Sequence, residues 1–276
     1  MDDLPGISDP LFREAVAAID AGDVSTLERL LDAHPELVRD RLNYGEGYFR
    51  QPYLLWFVAD NPIRNGKLPK NIAQVTRAIL QAAERQGVQS LRDQIDYALE
   101  LVGSGRIPRE CGVQSELIDL LLEAGAHPDK ALRAALIHKE VAAAERLLDH
   151  GAELTLPAAV CTRRMDDVTR LGPTASPEDR QAALTCAALY GHAEALSMLI
   201  DLGVDLNAYS PAGFHSHATP LHHAVDSGSF DAVKSLVEAG ARLDVKDLSY
   251  QATPLGWAEY LQRPEIADYL REQAGH

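Results

Sequence analysis

The chain has 276 residues, of which 46% are hydrophobic and 24% are charged, a composition typical of a globular protein. Its 41 acidic residues outnumber its 26 basic ones, so the formal net charge at pH 7 is −15. This charge argues against nucleic acid and anionic membranes as partners, because both are bound through Lys and Arg, and it favours basic partners.

The cysteines and the hydropathy pattern predict a cytoplasmic protein. Cys111, Cys161 and Cys186 are an odd number at wide spacing, and they form neither a CxxC pair nor a disulfide framework. Free thiols are typical of a reducing compartment. A transmembrane helix needs about 18 consecutive apolar residues, and the sequence contains no such stretch.

The N-terminal part of the sequence predicts pairs of short helices joined by polar loops. Apolar residues recur at helical spacing in several segments, which glycines and prolines separate. The predicted helices cover residues 15–19, 27–31, 53–59, 71–86, 91–102 and 115–123. Residues 53–59 are apolar throughout and predict a buried inner helix. Exposed loops are predicted at residues 61–70 and 103–113.

An aromatic segment precedes and includes this inner helix. Six of the 16 aromatic residues fall within residues 44–57, where two glycines mark a turn. An aromatic core that seals the irregular N-terminal helices explains this composition. The alternative is a ligand or peptide site formed by Tyr44, Tyr48 and Phe49.

The middle of the chain repeats the same pattern of short helices. Residues 120–126 and 147–152 each contain a Leu-Leu pair and end in Gly-Ala, and residues 132–135 start a helix before the second of them. Residues 156–171 predict a further, degenerate helix pair, which a Gly-Pro dipeptide ends. After it, Ser176 and Pro177 predict the start of the next helix.

Three segments near the C-terminus align with one another. Each has a first helix with small apolar residues, a turn and a second apolar helix. Residues 219–224 read Thr-Pro-Leu-His-His-Ala, and residues 253–258, at the equivalent place in the next segment, read Thr-Pro-Leu-Gly-Trp-Ala. The equivalent helix of the first segment begins near Leu184.

Local chemistry supports a helix–turn–helix in each segment. Thr219 is a favourable N-cap residue, and Pro220 then falls at the first helical position, where its missing N–H costs nothing. Gly228 can end this helix. A second helix follows, with apolar residues at positions i, i+3 and i+4 counted from Val233.

A period near 33 with a Thr-Pro-Leu-His-x-Ala start is the signature of ankyrin repeats, and the chain resembles that family over residues 181–273. The resemblance implies an all-α ankyrin-repeat solenoid of about eight stacked helix–turn–helix units, with irregular N-terminal units. We expect one ankyrin-repeat domain over residues 1–276, with irregular helix pairs at residues 1–114 and recognisable repeats at residues 115–276. The alternative is a separate N-terminal helical domain of about 110 residues, a size within the usual range for a domain.

Four histidines, at positions 215, 217, 222 and 223, lie within nine residues. Imidazoles at such spacing can bind Zn, Ni or Cu. The resemblance, however, implies that His222 bonds to the motif threonine and to the backbone of the adjoining repeat. Neighbouring helical residues point about 100° apart, so His222 and His223 cannot easily serve one metal. We therefore predict no metal, and His215, His217 and His223 are the ligand set to test.

The resemblance also indicates which residues face a partner. The residue after the motif histidine faces the concave surface in the family, and here that column reads Ala134, Cys186, His223 and Trp257. The loop before Thr219 is some four residues longer than is usual, and long loops are often functional. The predicted partner-binding residues are Trp257, His223, Tyr190, Tyr260, Asp226, Tyr209, Phe214, His215 and His217. Alternatively, Trp257 caps the core, and Tyr209 and Phe214 pack against a neighbouring loop.

The resulting prediction is a non-catalytic scaffold that binds a partner protein or peptide through its concave face and finger loops. The sequence has no Gly-x-Ser-x-Gly motif, phosphate loop or Gly-x-Gly-x-x-Gly motif, so we predict no catalytic residue and no cofactor. The alternative is a small-molecule or metal-binding protein, with catalysis left open. Its site would lie in the concave groove near His215, His217, His223 and Cys186.

Overall fold

A computed structural model describes residues 6–275 of the chain. These residues form helices, turns and loops, with no β-strand among them, which confirms the predicted all-α class. None of the helices in this range combines the length and the apolar character that a bilayer-spanning helix needs. Residues 1–5 and 276, which the predicted domain ranges include, lie outside the described part.

The chain divides into two compact units between Glu153 and Leu154. In each unit, the described residues form four helix pairs, and the inner and outer helices of successive pairs pack on one another. Eight pairs are the number that the sequence predicts.

In the first unit, the inner layer consists of α1, one 3₁₀ helix, α5 and α8, and the outer layer of α2, α4, α7 and α9. Two short helices, α3 and α6, and a second 3₁₀ helix lie in the segments of the chain that connect these helices. The bounds are α1 Pro10–Ala21, α2 Val24–Ala33, α3 Glu36–Arg39, the 3₁₀ helices Gly47–Phe49 and Leu54–Ala59, α4 Ile72–Arg85, α5 Leu91–Gly103, α6 Arg106–Glu110, α7 Gln114–Glu123, α8 Pro128–Ile137 and α9 Val141–Asp149.

An aromatic cluster forms the core of this unit around the inner 3₁₀ helix. The rings of Phe49 and Phe57 meet edge to face at 5.3 Å, and the centroid of Trp56 lies 4.4 Å from that of Tyr97. The side chains of the helix Leu54–Ala59 are all buried. The aromatic segment therefore contributes the part of the core that surrounds this 3₁₀ helix.

One sequence prediction in this unit is wrong. The sequence predicts an exposed loop at residues 103–113, but α6 occupies Arg106–Glu110. Pro108 is the third residue of that helix, in the first turn, where a backbone N–H has no intrahelical acceptor, so the proline is tolerated. Ile107 and Pro108 are buried, which ties this short helix to the core.

In the second unit, α10, α12, α14 and α16 form the inner layer and α11, α13, α15 and α17 the outer layer. The bounds are α10 Leu156–Cys161, α11 Met165–Leu171, α12 Pro177–Tyr190, α13 Ala193–Asp201, α14 Pro220–Ser227, α15 Phe230–Glu238, α16 Pro254–Tyr260 and α17 Pro264–Ala274. The helices α10 and α11 lie in the degenerate segment at residues 156–171. Two longer connections, the first finger loop (residues 203–218) and the second finger loop (residues 240–252), precede α14 and α16.

The motif residues make the helix ends that the sequence predicts. Thr219 is the N-cap of α14 and Pro220 its first residue. Gly228 ends the helix in the left-handed conformation, at φ 74°, which glycine adopts without the strain of a side chain. The inward-facing Ala224 is fully buried and lets α14 lie close to its neighbours.

Candidate functional site

A pocket of about 410 Å³ opens between α14, α16 and the second finger loop. We call it the aromatic pocket, because three aromatic rings line it, those of Tyr250, Trp257 and Tyr260. The other lining residues are Asp226, Ala252, Gly256 and Leu261. The pocket thus brings together three of the predicted partner-binding residues and adds Tyr250, which the sequence did not single out.

The repeat period places these side chains next to one another. Asp226 and Tyr260 are separated by one repeat and occupy equivalent positions on α14 and α16, which pack side by side. Trp257 precedes Tyr260 by three residues, so both lie on one face of α16. Tyr250 and Tyr260 are 79% and 86% exposed, which is unusual for such large rings and leaves them available for contacts.

A buried carboxylate, Asp247, organises the second finger loop. Its Oδ1 accepts hydrogen bonds from the backbone N–H groups of Ser249 and Tyr250, at 2.8 and 2.6 Å. Its Oδ2 accepts from the N–H of Ala252 at 2.9 Å and from the indole Nε1–H of Trp257 at 3.0 Å. Burial by itself would raise the pKa of Asp247, but these four hydrogen bonds outweigh it and lower the pKa to about 2.

Asp247, His222 of α14 and His217 of the first finger loop hold the ring of Trp257. One edge of the indole is bonded to Asp247, and His222 packs edge to face against the ring with centroids 5.1 Å apart. His217 lies 6.0 Å away, at an angle of 30°. Trp257 is therefore both a half-buried wall of the aromatic pocket and a ring held in one orientation, which lowers the entropy lost on binding.

His222 has the structural role that the resemblance implies. Its Nδ1 accepts the backbone N–H of Thr219 at 3.3 Å and lies 2.8 Å from Thr219 Oγ1. Nε2 must then carry the proton, and it donates to the carbonyl oxygen of Ala252 in the second finger loop at 3.1 Å. The ring is fully buried, and burial lowers the pKa of His222.

The structure brings His215, His217 and His223 together, with ring centroids 5.9 to 6.3 Å apart. Within the described residues, however, no three His, Cys, Asp or Glu side chains are placed to hold a metal ion. Cys186 and His223 are 1% and 2% exposed, so neither lines an open groove. The geometry of the described residues therefore does not support the alternative small-molecule or metal site at these residues.

His223 lies behind the surface and can reach a partner only through the residues it supports. Its Nε2 is 3.2 Å from the hydroxyl of Ser210, which donates to the carbonyl of Ala218. Burial first, and then the nearby His215 and His217, lower the pKa of His223 to about 3. The ring is accordingly neutral at physiological pH.

The remaining predicted binding residues do not line the aromatic pocket. Tyr209, on the first finger loop, is 37% exposed, and its hydroxyl donates to the carbonyl of Lys246 in the second finger loop at 2.7 Å. Phe214 is half-buried on the same loop. Tyr190 is half-buried at the end of α12, where its ring lies 5.5 Å from that of His192.

The first unit has a cavity of its own, of about 400 Å³. Of the three residues in the alternative N-terminal site, only Tyr48 lines it, together with Tyr97, Glu100 and Arg106. Phe49 is buried in the aromatic core instead. Burial raises the pKa of Glu100, against the opposing effect of Lys130 and Arg133.

Sequence reasoning missed Asp247 and Tyr250. Both lie in residues 242–250, a segment with four charged residues that resembles a solvated loop. The available signal was Trp257: an indole N–H near a core requires an acceptor, and the acidic residues of the preceding loop are the nearest candidates.

The second unit matches a family model for ankyrin repeats, built of three copies, over residues 158–247 and again over residues 215–276. Similar curated proteins include human Cyclin-dependent kinase inhibitor 2A, which is 36% identical over 87 residues, 32% of this chain and 53% of the relative. Cyclin-dependent kinase 4 inhibitor B of Bos taurus is 34% identical over 87 residues, 32% of this chain and 63% of the relative. The matches thus span less than two thirds of these relatives.

Proposed function

We propose that this chain is a non-catalytic interaction module that binds a partner protein or peptide, because residues 158–276 match a family model for ankyrin repeats. The binding surface consists of the aromatic pocket, the finger loops and the adjoining inner helices of the second unit. A repeat of this kind cannot bury its own apolar face, so neighbouring repeats stack and leave an extended surface for partners.

The observation that supports the proposal most is the exposure of Tyr250 and Tyr260 beside an immobilised Trp257. Exposed tyrosines around a rigid tryptophan have the composition of an interface hot spot. Burying one such ring against a partner is worth roughly 2 kcal/mol of hydrophobic free energy. Two rings and a tryptophan edge can therefore anchor a protein or peptide.

The names of the relatives indicate which partners to test first. The two proteins are inhibitors of cyclin-dependent kinases by name. Protein kinase domains are therefore the first class of candidate partner for this chain.

We also propose that the pairs in residues 1–114 are irregular ankyrin units of one domain with residues 115–276. Their inner and outer layers, which follow the same order as those of the second unit, support this. The proposed site of action is the cytoplasm, where free thiols such as Cys161 and Cys186 stay reduced. Imaging of a fluorescent fusion tests this location.

Quantitative affinity capture from native lysate tests the binding proposal. The full chain is compared with Tyr250→Ala and Tyr260→Ala, and with Tyr48→Ala, a 61% exposed tyrosine of the first unit, as the matched control. We expect each pocket variant to weaken retention of the specific partner at least about fivefold, roughly 1 kcal/mol, and the control to retain it fully. Equal retention by all four proteins would refute the proposed surface.

A further inference from the structure

We infer that the aromatic pocket takes a cationic side chain, an arginine guanidinium or a lysine ammonium, presented by a partner peptide. This inference rests on the proposed function and specifies the chemistry of the same site. Cations are attracted to the faces of aromatic rings, and tryptophan is the strongest of these rings. The pocket offers one tryptophan and two tyrosines around a single space.

The charge around the pocket favours a cation over an apolar anchor. Asp226 lines the pocket, whereas no Lys, Arg or His is among the described residues of its wall. Residues 154–276 contain nine Lys and Arg against sixteen Asp and Glu, so the wider field has the same sign. Such a field attracts basic segments and disfavours acidic ones.

The hydrogen bond at the edge of the Trp257 indole strengthens this preference. The indole N–H donates to the ionised carboxylate of Asp247 at 3.0 Å, which pushes electron density into the ring. A more negative ring face binds a cation more tightly. Asp247 also carries a negative charge in its own right, at the edge of the ring.

The shape of the pocket suits a long aliphatic stem with a charged end. Ala252, Gly256 and Leu261 supply the apolar part of the wall, against which the methylene groups of Lys or Arg can pack. Gly256 occupies the position that His222 has in the preceding repeat. Its backbone does not need glycine: an added Cβ would meet Ala252 Cβ at 3.5 Å and Thr253 Oγ1 at 3.7 Å, both ordinary contacts. Glycine therefore leaves this part of the wall without a side chain, although the backbone would tolerate one.

Indole N–H resonances of the full chain provide a direct test. The chain has two tryptophans, Trp257 at the pocket and Trp56 in the first unit, whose indole donates to the carbonyl of Gln94. The probes are capped pentapeptides of four alanines around a central Arg, Lys, citrulline or norleucine. We expect the Arg or the Lys peptide to shift the Trp257 signal saturably, the two neutral peptides to leave it in place, and the Trp56 signal not to move.

Three variants sharpen the test. Asp226→Asn should weaken the binding of the Arg or Lys peptide about threefold. Asp231 is exposed on α15, and Asp231→Asn should not change the affinity for that peptide. Gly256→His should reduce binding by filling the wall, and its unchanged helical circular dichroism would show that the fold is retained.

The outcomes separate this inference from the proposed function. A norleucine peptide that binds as well as the Arg peptide overturns the inference, because the anchor is then apolar, and so does binding of none of the four peptides. In both cases, capture that still depends on Tyr250 and Tyr260 leaves the proposed function standing. Capture that is independent of these tyrosines overturns both.

Discussion

Asp247 shows how one side chain can order a loop and a binding wall together. Its four hydrogen bonds close the turn of the second finger loop and hold the indole of Trp257. The sequence alone does not reveal this role, because Asp247 stands among other charged residues and its acceptor geometry depends on how the loop returns to α16. Trp257, by contrast, is recognisable from its position in the repeat.

The variant Asp247→Asn keeps the size of the side chain but removes its charge. A carboxylate whose pKa falls from 3.8 to about 2 on folding contributes about 2 kcal/mol to stability at neutral pH. We expect urea unfolding at pH 7 to show a loss of that size. The control Asp244→Asn, at an exposed ion pair with Arg242, should leave stability nearly unchanged, because solvent screens that pair.

The pH dependence of this difference has a defined sign. Because the folded pKa of Asp247 is lowered, its contribution is complete above pH 3.8 and disappears as the pH falls towards 2. The stability gap between wild type and Asp247→Asn should therefore be constant above about pH 4 and narrow below it. A gap that widens on acidification would contradict the assignment.

The lowered pKa of His223 predicts a second pH dependence of stability, which begins at a higher pH than that of Asp247. Its folded pKa of about 3 lies below the ordinary value of 6.5, so the unfolded chain binds a proton that the folded chain excludes. His223 makes no pH-linked contribution to stability above pH 6.5; below it the contribution is unfavourable and grows by about 1.4 kcal/mol per pH unit as the pH falls towards 3.

Denaturant titrations of wild type and His223→Gln between pH 7 and pH 5 measure this contribution. We expect wild type to lose about 2 kcal/mol more than the variant over that interval. Above pH 7 the two slopes should coincide, which serves as the control. Parallel slopes across the whole range would show that His223 is not excluded from protonation.

At the scale of elements, the sequence predicted helices better than loops, for a physical reason. Helices of the repeats are defined by local signals, such as the cap formed by Thr219 and Pro220 and the left-handed Gly228. The conformations of the two finger loops depend on hydrogen bonds between them. The hydroxyl of Tyr209 donates to the carbonyl of Lys246, and the N–H of Leu248 donates to the carbonyl of His217. Partners so distant in sequence leave no local pattern.

Equivalent leucines in two repeats test how the inner helices are packed. Leu221 on α14 is 1% exposed, whereas Leu255, at the equivalent position on α16, is half-buried. We expect Leu221→Ala to lower the free energy of unfolding by roughly 2–5 kcal/mol and Leu255→Ala by clearly less. Urea titrations of the two variants compare them directly, and an equal or larger loss for Leu255→Ala would contradict the packing.

At the scale of the whole molecule, the sequence predicted an all-α chain of about eight helix pairs but not the position of the binding pocket. The aromatic pocket needs the register of the repeats, which places Asp226 beside Tyr260, and also the return of the second finger loop with Tyr250. The first condition can be read from the repeat. The return of the second finger loop depends on the hydrogen bonds of Asp247, which only the structure reveals.

In the first unit, most helices can be predicted from the sequence although no repeat motif is present. Its helix pairs follow the same inner and outer layers without the Thr-Pro-Leu-His motif, and an aromatic cluster packs around its inner 3₁₀ helix. Hydrophobic periodicity is enough to place most of its helices, whereas α6 escapes prediction because its proline resembles a helix breaker.

The central claim is that a partner docks on the aromatic pocket, and site-directed photo-crosslinking in native extract tests it most directly. A photoreactive phenylalanine analogue replaces Tyr260 in one protein, Tyr250 in a second and the exposed Tyr48 in a control. We predict covalent adducts of one defined partner from positions 250 and 260, and none of that partner from position 48. Adducts of equal yield at all three positions, or none at 250 and 260 beside a partner captured at 48, would contradict the account.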